Sequence, residues 1–266
     1  MAVGNMRKMS THVDAHVGDQ VQYVLNLSED VNMNDLIGQE IHLEWQGVIH
    51  CSKCFKVTRK SFGQGFCYPC FATAPEAAEC IIRPELCRAH LGEGRDPEWE
   101  EKHHNQPHIV YLAASSAVKV GVTRLDQVPT RWIDQGASAA IRLAETPNRY
   151  ESGRVEVALK TFFTDKTHWQ KMLRNDIDER IDLVDEKWSL EEHLPADILA
   201  LFSENDEVTL LNYPVLEYPK KVKSLNFDKS PIVRGKLMGI KGQYLLFEGG
   251  EVINIRRHTG YFVEIK

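Results

Sequence analysis

The most specific chemical pattern in the sequence is Cys51-x2-Cys54, twelve intervening residues, then Cys67-x2-Cys70. Each Cys-x2-Cys loop turns two thiolates toward one ion, and two such loops complete a tetrahedral four-thiolate zinc site. Gly63 and Gly65 supply the turn between the pairs. With all four positions filled by protein, the ion is structural, because no position is left for a catalytic water. A second, looser pattern follows in Cys80-x6-Cys87-x2-His90, with His103, His104 and His108 close behind. Two thiolates and two imidazoles, with Cys80, Cys87, His90 and His104 as ligands, would form a second site. The alternative is two buried free cysteines, a common fate for that residue, and surface histidines.

A different chemistry is set out between residues 108 and 163. Two short β-patterned runs, 108–113 (HIVYLA) and 118–122 (VKVGV), predict a hairpin. With a loop over 114–116, Tyr111 lies directly opposite Lys119 on one sheet face, and Val118, Val120 and Val122 turn to the core. Arg131 on the next helix and Glu156 on the following one are expected over the same face. A phenol, an ammonium, a guanidinium and a carboxylate together suit a phosphodiester. The carboxylate holds a divalent ion, the cations neutralise developing charge, and the phenol or a bound water handles the proton. Each group also has a structural role open to it: Glu156, for example, pairs with Lys160 at i,i+4 on an ordinary helix.

The elements that must position these groups are legible in outline. Alternating runs at 20–27 and 40–45 read as half-buried strands, and Gln46-Gly47 reads as a turn. A helix is expected over 128–135 with Gly136 as its C-cap, then a strand at 140–144. A second helix over 151–163 carries Val155, Ala158, Leu159 and Phe162 on one face. Strands are expected at 233–239, 243–247, 252–257 and 261–265, with glycines at the turns. The fold class is therefore α+β. The segments are an N-terminal β segment (1–50), the two cysteine clusters (51–105), a ββαβα core (106–165), an acidic helical segment (166–212) and a C-terminal β segment (213–266) that packs with the first or stands alone. Residues 218–230, rich in proline and lysine, read as a linker. Gly239-Ile240-Lys241-Gly242 imitates the GxxG loop of RNA-binding KH domains, but its strand-like flanks favour a hairpin turn.

Composition narrows the class. The chain of 266 residues is 42 % apolar and 26 % charged, ordinary for a globular protein long enough to bury a core. It lacks an apolar run of membrane-spanning length, and residues 1–13 lack a secretory apolar core, so a cytoplasmic location is expected, where cysteines serve metals more often than disulfides. The net charge of −6 is unevenly spread: residues 175–207 hold twelve acids and two bases, a local −10 that leaves +4 elsewhere. Residues 51–71 carry Lys53, Lys56, Arg59 and Lys60 with no acid, and 214–242 carry seven bases against two acids. Such segregation is compatible with a phosphate-binding face.

Ile109-Val110-Tyr111, Lys119-Val120-Gly121, Arg131-Trp132 and Glu156 resemble the ordered motifs of the GIY-YIG nuclease superfamily. More closely, through YLAASSAVKVGVTR, PTRWIDQGA, RVEVALK and GIKGQYLLF, the chain is similar to an uncharacterised bacterial family that joins a zinc ribbon to such a core. The superfamily resemblance implies a catalytic Tyr111, a helix arginine at Arg131 and a metal-binding Glu156. Lys119 stands where the second-motif tyrosine is usual, and Arg131 lies two residues farther from the motif glycine than usual. The closer resemblance implies cysteines near the positions of Gly94 and His104; His104 keeps zinc chemistry, and His90 would compensate for Gly94. The function expected is a metal-dependent phosphodiesterase acting on DNA or RNA, with structural zinc and Mg²⁺ or Mn²⁺ at Glu156. The alternatives are a non-catalytic nucleic-acid-binding or regulatory zinc protein, and a zinc-stabilised protein-interaction module served by the acidic segment.

Overall fold

A computed structural model describes residues 1–14, 19–163 and 168–266. Two compact units are interleaved along the chain: residues 1–72, 133–136 and 211–266 form one, and residues 73–132 and 137–210 form the other.

In the first unit, β1 (Ala2–Asn5), β2 (Ser10–Asp14), β3 (Gln20–Asn26), β4 (Asp30–Asn32), β5 (Glu40–His50) and β6 (Val57–Thr58) lead to helix α1 (Tyr68–Thr73). The alternation in β3 buries Val21, Tyr23 and Leu25, as period-two patterning requires. Gln46-Gly47 is not a turn. It is a bulge inside β5, because Trp45 and Ile49 pair with Val263 and Tyr261, which leaves residues 46–48 opposite the single residue 262. Gly47 takes φ +76°, and the Trp45 indole closes the bulge by donating to the Val48 carbonyl at 2.9 Å.

The second unit opens with a ladder of 3₁₀ turns at Pro75–Ala77, Glu79–Ile81, Pro84–Leu86 and Ala89–Leu91, then α2 (Pro97–His104). Asp96 caps α2 by accepting from Trp99, and Pro97 occupies its first turn. There follow β7 (His108–Ala114), β8 (Val118–Arg124), α3 (Thr130–Asp134), β9 (Ala139–Thr146) and α4 (Arg149–Leu159), a strand–strand–helix–strand–helix order. Gly136 ends α3 at φ +69°. Asn148 caps α4, so the helix starts earlier than the apolar stripe indicates. Phe162 lies beyond its end, 42 % exposed and stacked on His193. The start of the expected acidic segment, residues 166–167, lies outside the described residues; beyond it come the short helices α5 (Trp169–Leu173), α6 (Leu183–Trp188) and α7 (Ala196–Leu199). Lys187 of α6 is buried and donates to the Ser203 and Asn205 carbonyls and to Asp206. With β10 (Thr209–Leu210) the strand order is β10-β9-β7-β8.

The first unit is completed by β11 (Lys223–Ser224), β12 (Ile232–Lys241), β13 (Tyr244–Phe247), β14 (Glu251–Asn254) and β15 (Tyr261–Ile265). These join β1 and β5 in the order β1-β15-β5-β12-β13-β14-β11, while β2, β3 and β4 form a separate sheet. The expected linker over 218–230 is part of the fold: β11 pairs in parallel with β14, and Phe227 is buried against His258 and Tyr261. Its lysines mask an apolar residue that has a sheet to cover. Gly242 sits in the β12–β13 hairpin at φ +61°, between strands rather than helices.

Among the described residues, no helix is long and apolar enough to cross a membrane.

Candidate functional site

The first cysteine pair sits where β5 ends. Phe55 N–H donates to the Cys51 carbonyl and Cys51 N–H to that of Lys56, which folds the loop into a knuckle with Phe55 at φ +59°. Cys67 precedes α1 and Cys70 lies in its first turn. The four sulfurs lie within 4.8 Å of one another, with Cys54 and Cys67 at 3.7 Å. A tetrahedral ion with Zn–S near 2.3 Å spaces its sulfurs about 3.8 Å apart. Burial opposes ionisation of Cys51, but backbone N–H groups of Cys54, Cys67 and Lys53 outweigh it and bring that thiol down to about 6. The hydrogen bond with Cys67, aided by burial, holds Cys70 up at about 12. Four thiols crowded into shared hydrogen bonds are the donor set of a structural metal such as zinc. Around this knuckle Lys53, Lys56, Arg59 and Lys60 are exposed. So are three aromatic rings: Phe55 at 62 %, Tyr68 at 65 % and Phe71 at 37 %.

The second cluster is built differently. Cys80 comes from one 3₁₀ turn, Cys87 follows the next, and His104 closes α2; all three are buried, with their ligand atoms within 4.8 Å of one another. His104 Nδ1 lies 3.9 Å from the Cys80 sulfur and 3.7 Å from that of Cys87. A hydrogen bond from Cys80 lowers Cys87 to about 4, against burial and with help from His104, and raises Cys80 in turn. His90 lies outside the cluster, exposed and stacked on Tyr150 at 4.6 Å. His103 accepts from Arg124 at 2.8 Å. His108 is fully buried with Nδ1 on the Gln106 carbonyl, and burial pushes it down to about 4.

Helix α4 holds this cluster in place. Gly153 approaches the chain at Pro84 and Glu85 so closely that a Cβ there would overlap the backbone. Arg149 donates to the Cys80 and Ile81 carbonyls at 2.9 and 2.8 Å. The Arg149 guanidinium is drawn down by burial and also feels both thiols, Glu156 and Arg131.

The hairpin that carries the expected quartet has a different register from the one the sequence suggests. Its loop is 115–117, so Tyr111 pairs with Gly121 and Lys119 with Ala113. The two-residue shift preserves parity, and Tyr111 and Lys119 keep the same sheet face as diagonal neighbours. Tyr111 is fully buried: its ring meets Trp132 edge-on at 6.0 Å, and its phenol fills the space a Cβ on Gly121 would need. The opposite face, with Val110, Leu112, Val118, Val120 and Val122, packs on Val155 and Leu159 of α4. The sheet therefore lies between the Tyr111 ring and the apolar side of the helix that carries Glu156. Lys119, Arg131 and Glu156 are half-buried, and the Lys160 ammonium lies 3.8 Å from Glu85. Two residues escaped sequence reasoning. Arg149 is visible only as a basic residue at a helix start. Glu100 was signalled by Asp96-Pro97, which opens a helix and puts Glu100 and His104 on one face at i,i+4.

The chain belongs to the family described as Protein of unknown function (DUF2797), whose model matches residues 38–263. That span takes in both cysteine clusters, the strand–strand–helix–strand–helix run and most of the C-terminal strands, and leaves β1 to β4 outside. No curated protein and no solved structure matches the chain.

Proposed function

We propose that the protein binds DNA or RNA through its four-cysteine ribbon, with zinc as the structural metal, and that its ββαβα core is a nuclease-like scaffold without phosphodiesterase activity. The observation that carries this is the surface of the ribbon: four exposed cations and three exposed aromatic rings, with no acid between residues 51 and 71. Cations track a phosphate backbone, and aromatic faces stack on unpaired bases at about 1–3 kcal/mol each. Zinc held by Cys51, Cys54, Cys67 and Cys70 keeps the knuckle rigid, so Phe55 is displayed rather than collapsed. Full burial of Tyr111 argues against its use as a proton carrier.

A metal-dependent phosphodiesterase is the second reading, because Lys119 shares the sheet face of Tyr111 and Arg131 adjoins the Trp132 ring that meets that tyrosine. In it Glu156 would hold Mg²⁺ or Mn²⁺, with Arg131 and Lys119 on the phosphate and Tyr111 at the proton.

The full chain, loaded with zinc, is incubated with labelled single- and double-stranded DNA and RNA, with and without Mg²⁺ or Mn²⁺. The expected result is salt-dependent binding that favours single strands, with no cleavage. Replacing Lys56, Arg59 and Lys60 together by Ala should reduce the salt slope by about 2–3. Binding that ignores salt and this triple change would overturn the proposal; cleavage lost in Glu156→Ala would establish the phosphodiesterase.

A further inference from the structure

We propose that the second cluster is a four-ligand metal centre completed by the Glu100 carboxylate. Cys80, Cys87 and His104 supply three ligands; the fourth must come from a donor next to His104. Glu100 is one helical turn away on α2, and its Oε2 lies 3.8 Å from His104 Nδ1. In a tetrahedral site with ordinary zinc bond lengths, ligand atoms are about 3.3–3.8 Å apart. His104 Nδ1 lies 3.7–3.9 Å from the two sulfurs and from Oε2, which matches the three edges that meet at the imidazole. The group already within 4.8 Å is Cys80, Cys87 and His104, and the Glu100 carboxylate closes the tetrahedron by turning toward the sulfurs.

Three further observations point to Glu100 itself. Its side chain is 3 % exposed, as is that of His104, and a buried carboxylate needs a strong partner. Oε1 accepts the Arg95 N–H at 2.9 Å, which orients the group and leaves Oε2 turned to His104. A Cβ built on Gly94 would overlap this carboxylate, so Glu100 occupies the space that a side chain at position 94 would fill. Charge also balances. A divalent ion with two thiolates, a carboxylate and a neutral imidazole carries −1, and the half-buried Arg149, in the field of both thiols, supplies +1. A cleft of about 300 Å³ lined by Cys80, Gly94, Glu100, Arg88 and Arg95 gives an ion a route in. Binding drives one proton off each thiol that still holds it.

The test uses cobalt in place of zinc on the full chain, read by metal content and by the thiolate-to-cobalt absorption. The wild type should bind two ions per chain. Glu100→Gln keeps the oxygen that accepts from Arg95, so the fold is retained; it should weaken the second ion at least tenfold and leave the first unchanged. Gly94→Cys combined with Glu100→Ala should restore tight binding and raise the second ion's absorption from a two-thiolate to a three-thiolate intensity. One ion per chain, or a second ion indifferent to both variants, would overturn the proposal.

Discussion

The two cysteine clusters solve opposite problems. The ribbon holds one buried sulfur, Cys51, and three half-buried ones, and displays what surrounds them. In the second cluster all three ligands are buried, and hydrogen bonds from the Arg149 guanidinium and a glycine contact join it to a core helix. A metal in the first keeps a loop rigid that has little apolar surface of its own. A metal in the second fastens a ladder of short 3₁₀ turns onto the helix that covers the sheet. In the functions proposed, similar ligands would serve a recognition surface in one place and a scaffold in the other.

Removing the metals should expose the contrast most strongly. Cys87→Ser should cost several kcal/mol and unfold the second unit in urea at markedly lower concentration, since the ligands there are buried. Cys51→Ser should instead make residues 51–72 protease-sensitive and loosen the first unit, with a smaller shift in the urea midpoint. Equal midpoints for the two variants would erase the distinction.

Gly153→Ala probes the scaffold without touching a ligand. The added methyl meets the backbone at Pro84 and Glu85, so a loss of about 2–4 kcal/mol is expected, together with weaker binding of the second ion. Chemical denaturation read in parallel with metal content checks both.

Acid should act on the buried side of the comparison as well. His108 titrates near 6.5 unfolded but is held down to about 4 in the fold, chiefly by burial. Between those values the unfolded chain binds the proton and the folded chain does not, so stability rises with pH across that window. It is complete above about 6.5, falls by up to ~3 kcal/mol as pH drops toward 4, and levels off below. His108→Gln should remove this part of the slope, measured as the difference between variant and wild-type stability from pH 4 to 7.5.

The smallest stability effect belongs to the displayed side. Phe55 is 62 % exposed, so Phe55→Ala should change stability by less than about 0.5 kcal/mol. It should nevertheless weaken single-strand binding by about 1–3 kcal/mol, measured by fluorescence anisotropy. A variant that binds normally would remove stacking from the proposal while leaving the cations in it.

What the sequence disclosed follows from how local each signal is. The Cys-x2-Cys pairs and the valine alternation of β8 are fixed by neighbours, and both correspond to structure. The hairpin register missed by two because the choice of loop, 114–116 or 115–117, is decided by pairing along β7 and not by the loop residues. β1 went unseen because its partner, β15, lies some 260 residues away. β5 continued through Gln46-Gly47 because a bulge absorbs what would otherwise turn the chain. Helix spacing alone puts Glu100 beside His104, but its burial against Gly94 and the approach of Cys80 and Cys87 to His104 depend on chain segments distant in sequence.

The phenol lying over Gly121 makes residues 111 and 121 a reciprocal pair across two strands. One volume is shared between them, and whichever residue expands, the other must shrink. Gly121→Ala alone should therefore displace the Tyr111 ring, while Tyr111→Ala frees position 121 to accept a side chain. Among relatives the two positions should change together, a signature readable from aligned sequences without any assay.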